Sequence, residues 1–229
     1  MGTSGKRCLK KLDPNETREW WLNDRIADKV EKLLKGYTGY ELIRTDDTSG
    51  KKDISLTART NAANNFKADF YLSIHHNAGV KGGKGGGIVA IVYKKTDSET
   101  LAWQKDLYNA LIDATGLKGN RATPLAKQDL HECRETKMPA VLLELGFMDS
   151  ATDVPVILTE KFADQCAAAI VKVLVKRGGL KAKPVEQPKP AEPESGKIWR
   201  VQVGAYSKLD NAKALQQALK NDGYDAIIV

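Results

Sequence analysis

Cysteine is scarce in this sequence. Cys8, Cys133 and Cys166 are an odd number without C-x-x-C spacing, which argues against a disulfide framework. Cys166 falls on the apolar face of a helical stretch and reads as a small core residue. Long hydrophobic runs are missing too: none approaches the roughly 18–20 residues that a membrane span needs. The first residues, MGTSGKRCLKKLDPNE, carry positive charge with no apolar stretch behind it, so no signal peptide is expected. That predicts action in the cytoplasm, or exit by a route other than a cleaved signal. Histidine is as rare as cysteine, and two of the three histidines are adjacent, His75 and His76.

What is present is an ordinary globular composition, with 41% hydrophobic and 28% charged residues in 229. The formal net charge of +7 favours a polyanionic partner. Nucleic acid, anionic lipid and an anionic cell wall all qualify, and the charge could equally serve solubility alone. Nucleic acid finds no supporting motif or aromatic platform.

The stretch GGLKAKPVEQPKPAEPESG, residues 178–196, holds four of the eight prolines and reads as a semi-extended linker. It separates a body, residues 1–177, from a tail, residues 197–229. In the body, LNDRIADKVEKLL places Leu22, Ile26, Val30, Leu33 and Leu34 on one helical face. YELIRT reads as a short strand. SLTARTNAANNF reads as a helix with Ala58, Ala62 and Phe66 inward. DFYLSIHHN and GGIVAIVY are strands. SETLAWQKDLYNALIDATG is a helix with Trp103, Leu107, Ala110, Leu111 and Ala114 at helical spacing, closed by Gly116. PAVLLELGF is a strand, and TEKFADQCAAAIVKVLVKR the last helix. This alternation predicts an α/β three-layer sandwich, a mostly parallel twisted sheet flanked by helices. The tail predicts a small βαβ unit: a strand with Trp199, Val201 and Val203 inward, a helix with Ala212, Leu215 and Leu219, then YDAIIV. Such a unit is short for an independent fold.

Neighbouring residues on a strand point to opposite faces, so His75 and His76 cannot both reach one substrate atom or one metal. One is expected to act and the other to be a satisfied bystander, at the carboxyl end of a strand where α/β sheets bind ligands. Glu144 stands inside an otherwise apolar strand. There its pKa should rise, as suits a general acid or base, unless Arg59 or Arg134 pairs with it. Glu19 opens the first helix, where a carboxylate also suits the helix dipole.

Four segments, EWWLNDRIA, IRTDD with SLTARTNAAN, SIHHNA and MPAVLLELGFMDSATD, give the body a resemblance to the zinc-dependent N-acetylmuramoyl-L-alanine amidases of the type 3 family. These cut peptidoglycan between muramic acid and L-alanine. The resemblance implies that Glu19 and His75 are zinc ligands and that Glu144 is the catalytic carboxylate. Zinc would activate water and polarise the amide carbonyl. Asn77 and His131 are candidate substrate contacts, and Asn23 and Asn77 candidate supports for the site. The partners implied are glycan strands and stem peptides, with no nucleic acid and no membrane span.

One departure stands out. The family's first zinc ligand is a histidine in a Gly-His-Gly turn after an opening strand, and this chain shows neither. Zinc affinity and hydrolysis are therefore expected to be weak, and the chain to be a fragment. The tail's WRVQVGAYSKLDNAKALQQALKNDGYDAIIV resembles the first part of a SPOR domain, a peptidoglycan-binding module. The setting implied is the bacterial cell wall. The rival reading is a non-catalytic wall-binding protein. KGGKGGG, residues 81–87, lacks the spacing of a phosphate-binding loop and is expected to be a flexible loop beside the cleft whose lysines meet anionic wall polymer.

Overall fold

The computed structural model describes residues 6–184 and 202–228, and the chain divides into two compact units, Met1–Pro184 and Val185–Val229. Chain order in the first is α1 (Glu19–Leu34), β1 (Tyr37–Thr38), α2 (Leu56–Phe66), β2 (Tyr71–Asn77), β3 (Ile88–Tyr93), α3 (Ser98–Thr115) and β4 (Leu125–Gln128). It continues through α4 (His131–Glu135), β5 (Ala140–Phe147), α5 (Val154–Ile157), α6 (Glu160–Gly178) and β6 (Lys181–Ala182).

The sheet has strand order β2-β5-β3-β4. β2 runs parallel to β5 and β3 parallel to β4, while β3 and β5 are antiparallel. Alternation along the strands builds two cores. Val141, Leu143 and Leu145 join Ile88, Ala90 and Val92 beneath α1, α3 and α6. Leu142, Val89 and Ile91 face the other way, onto Cys133 of α4. The result is helix, sheet, helix, as the sequence pattern implied.

The side chains that bury α1 are Leu22, Ile26, Val30 and Leu34, and full burial of such a residue contributes about 1.5–3 kcal/mol. Leu33, expected inward, is exposed, because it sits one residue outside that stripe. On α2 the phase also differs. Ser55 caps the helix by accepting from Ala58 N–H, and Thr60 and Ala63 face inward while Ala58, Ala62 and Phe66 are exposed. Scattered alanines give little hydrophobic contrast, so the contact with Tyr71 and Ala140 sets the face. Trp103, Leu107 and Leu111 of α3 are buried, and Phe70 stacks on Trp103 with ring centroids 3.9 Å apart.

The expected strand YELIRT does not form. Tyr40–Asp46 and β2, an edge strand, line one groove of about 820 Å³, and the segment meets β2 through Thr45 Oγ1, 3.4 Å from the Tyr71 hydroxyl, with no ladder between them. Arg44 holds it instead, through Asp24 at 2.7 Å, Asp28 at 2.9 Å and Asp46 at 2.6 Å. Beyond α6, Gly179 takes a left-handed turn (φ 65°) that brings β6 back to pair with β1, so residues 178–184 belong to this first unit.

In the second unit the described residues contain α7 (Leu209–Asn221), with Ala212, Leu215 and Leu219 partly buried. Residues 202–208 and 222–228 form no strand. A strand exists only with a ladder partner, and Val203 and Ile227 are 65% and 74% exposed. Trp199 and Val201 lie outside the described residues.

Candidate active site

β2 separates the two histidines. Leu72 and Ile74 pack into the core beneath α1, and His76 follows them on that face. Fully buried, it places Nδ1 2.8 Å from Asn23 Oδ1, while Nε2 has no partner among the described residues. Burial pushes its pKa down to about 3, so the ring is neutral. His75 lies on the opposite face with Ser73, whose hydroxyl is 3.0 Å from His75 Nε2.

Glu19 reaches His75 from the first turn of α1. Its Oε1 lies 2.9 Å from His75 Nδ1 and accepts from the His76 backbone N–H at 3.3 Å and from Asn23 Nδ2 at 3.4 Å. Burial opposes ionisation of both partners, yet the Glu19–His75 bond outweighs it. The carboxyl is held below its usual pKa and the imidazole above its own. Asn23 therefore links the two faces of β2, bonding His76 with its oxygen and Glu19 with its nitrogen. Asn23→Ala strands the buried His76 ring, while Glu19 keeps His75 and the His76 N–H, and we expect a loss of about 1–3 kcal/mol in urea unfolding. No measurable loss would remove Asn23 from this role.

Glu144 is in direct register with His75 across the β2–β5 pairing. Its Oε2 is buried without a hydrogen-bond partner among the described residues. Arg59 bonds Asp53 and the Ile54 carbonyl, and Arg134 bonds Asp129 and Glu135. The paired, purely structural alternative for Glu144 is thus not what the fold makes. Burial drives its pKa up to about 7, against the opposing pull of His75 and Lys6. Lys6 and Ser73 escaped the sequence reading. Ser73 carried a signal, since it lies two residues before His75 on a strand; Lys6 carried none.

His131 and Asn77 sit differently. His131 opens α4 and its Nε2 is 3.3 Å from Thr60 Oγ1. Among the described residues it makes no hydrogen bond to Glu19, His75 or Glu144. Asn77 ends β2 just beyond a register shift, where its Oδ1 accepts from the Ala78 N–H at 2.8 Å. The loop 81–87, expected to be flexible, is anchored by its own amides. Gly85 donates to Thr152 Oγ1, Gly86 to Asn120 Oδ1 and Gly87 to Asp153 Oδ2. Glycine is required at Gly86 (φ 118°), where a Cβ would run into Asp153 and Phe147.

A buried carboxyl with a raised pKa thus lies beside an imidazole–carboxylate pair toward the carboxyl ends of two neighbouring strands, the end at which α/β sheets bind ligands. Residues 2–176 match the family described as N-acetylmuramoyl-L-alanine amidase, and residues 167–229 match the SPOR domain. The chain is 31% identical over 218 residues to the sporulation-specific N-acetylmuramoyl-L-alanine amidase of Bacillus subtilis, covering 94% of this chain and 77% of that protein. Over 199 residues it is 31% identical to the amidase CwlM of Bacillus licheniformis, covering 86% and 70%. Among solved structures, an N-acetylmuramoyl-L-alanine amidase of Clostridium difficile aligns with TM-score 0.64 at 28% identity, covering 72% of this chain and 86% of that one. The catalytic domain of CwlV from Bacillus (Paenibacillus) polymyxa aligns with TM-score 0.65 at 26% identity, covering 76% and 95%. The chain belongs to the N-acetylmuramoyl-L-alanine amidase family and is a peptidoglycan amidase.

Proposed function

We propose that the chain hydrolyses the amide between N-acetylmuramic acid and L-alanine with Glu144 as general base and acid, and with Glu19 and His75 as its metal-facing pair. The observation that carries this reading is the unpartnered, near-neutral carboxyl of Glu144 in register with His75. A carboxyl poised near neutrality takes a proton from the attacking water and returns it to the leaving amine. Asn77 and His131 are assigned to the approach of glycan strand or stem peptide. No helix among the described residues is long and apolar enough to cross a membrane.

Zinc is the metal that the family resemblance supplies. A catalytic zinc takes three protein donors and keeps one position open. Among the described residues no group of three His, Cys, Asp or Glu could hold a metal ion, and Glu19 and His75 make two donors. These residues do not form a complete zinc site, so a polypeptide of these 229 residues should hold zinc weakly and turn over slowly. The two-donor count also favours a second reading, a non-catalytic wall-binding protein that docks through its cleft and SPOR segment.

The test is zinc content together with muropeptide release, for this chain and for one preceded by a strand that ends in histidine. We expect well under one bound zinc and slow release for the first, and at least a tenfold gain for the second. One tightly held zinc with full hydrolysis in the first chain would overturn the proposed deficit. No release by either would favour the binding reading.

A further inference from the structure

We propose that the glycine-rich loop 81–87 and the two loops packed on it form a docking surface for a phosphate-bearing polyol polymer of the wall. This rests on the amidase reading for its location, because such a polymer must lie beside the glycan that the cleft receives.

Three chain segments meet there. The Lys11 side chain lies across Gly82, where a Cβ would collide with it. On the other side, the backbone of Lys118 and Gly119 lies against Gly86 and Gly87. Arg121 stacks its guanidinium 4.5 Å above the ring of buried Phe147. Lys10, Lys11, Lys81, Lys84, Lys118 and Arg121 are all exposed, and none enters an ion pair among the described residues.

The carboxylates close by are already engaged with backbone amides. Asp149 accepts from Gly79 and Lys81 N–H, Asp153 from Gly87 and Phe147 N–H, and Asp13 from Asn15 and Thr17 N–H. Their charge offsets part of the field, but their oxygens hold the loops in shape and leave the lysines unpaired. The arrangement is therefore a fixed basic rim at the carboxyl ends of β2 and β5, not a set of mutually neutralised side chains.

The surroundings select the partner. No large hydrophobic side chain is exposed between residues 6 and 12, 78 and 88, or 117 and 123, so nothing there inserts into a lipid surface. Nor is any aromatic exposed on which a base could stack, which single-stranded nucleic acid binding uses. A polymer that offers phosphate charge without bases or acyl chains fits what remains. Lysine suits it, since ammonium meets phosphate as a point charge.

The full chain should be titrated with purified poly(glycerol phosphate), and co-sedimented with wall sacculi before and after their polyol phosphate has been stripped. We expect binding to the free polymer that falls steeply with salt, and several-fold more chain on intact than on stripped sacculi. The surface variant Lys10→Gln/Lys11→Gln/Lys84→Gln/Lys118→Gln, with an unchanged circular dichroism spectrum, should bind the polymer at least tenfold more weakly. Equal retention on both sacculi, unaltered binding by the variant, or equally tight binding of double-stranded DNA would each overturn the proposal. Muropeptide release from stripped sacculi separates the two readings. Release without polymer binding sinks only the docking surface, whereas polymer binding without release, by this chain and by the one preceded by a histidine-ending strand, sinks the amidase assignment of the cleft.

Discussion

Glu144→Gln is expected to lower muropeptide release by about 10²–10⁴-fold, the usual share of a general acid–base, and at the same time to make the protein more stable above pH 7. The first effect follows from replacing a proton carrier by an amide that cannot titrate. The second follows from the direction of the pKa shift. Burial raises the carboxyl from 4.5 to about 7, so the fold prefers its neutral form. Its contribution to stability is full below pH 4.5 and is lost as pH rises through about 7. Glutamine carries no such penalty, so the variant's advantage should grow between those limits and level off near 3 kcal/mol at most. Urea unfolding of both proteins at pH 4.5, 6 and 8, with metal chelated, measures it. A stability difference that is the same at all three values would rule out a buried titrating carboxyl, whatever the activity showed.

Asp153→Ala should be the most damaging single change outside the hydrophobic core. Asp153 is 1% exposed, and its Oδ2 accepts from Gly87 N–H at 2.7 Å and from Phe147 N–H at 2.9 Å. Alanine leaves two buried donors unsatisfied. At about 1.5–3 kcal/mol for each bond to a charged acceptor, we expect a loss of about 3–6 kcal/mol in urea unfolding. Asp153→Asn keeps one acceptor oxygen and should lose less. Amide hydrogen exchange at Gly87 should accelerate in both variants, because that N–H loses its anchor or holds it more weakly. A loss below 1 kcal/mol for the alanine variant would mean that the loop keeps its shape by other means.

The sequence by itself determined the layering and the split between the histidines. Strand alternation is a two-residue period, so once DFYLSIHHN is a strand, His75 and His76 must face opposite sides, and the structure places His76 against Asn23 and His75 against Glu19. The apolar run around Glu144 likewise announced a raised pKa before any partner was known. The helix stripe Leu22, Ile26 and Val30 fixed which face of α1 is buried, while the alanine-rich α2 carried too little hydrophobic contrast to fix its own.

Tertiary structure decided whatever depends on which chain segment lies alongside. YELIRT has the composition of a strand, but a strand needs a ladder partner, and this segment is held by side chains, Arg44 to Asp24, Asp28 and Asp46 and Thr45 to Tyr71. Glycines that read as slack are held by Asp153, Asn120 and Thr152, residues 34 to 67 positions away, which no local pattern can register. Lys6 reaches the field of Glu19 and Glu144 for the same reason. Periodicity is a property of consecutive residues, and so it was legible. Pairing, anchoring and charge proximity join residues far apart in the chain, and only the fold brings them together.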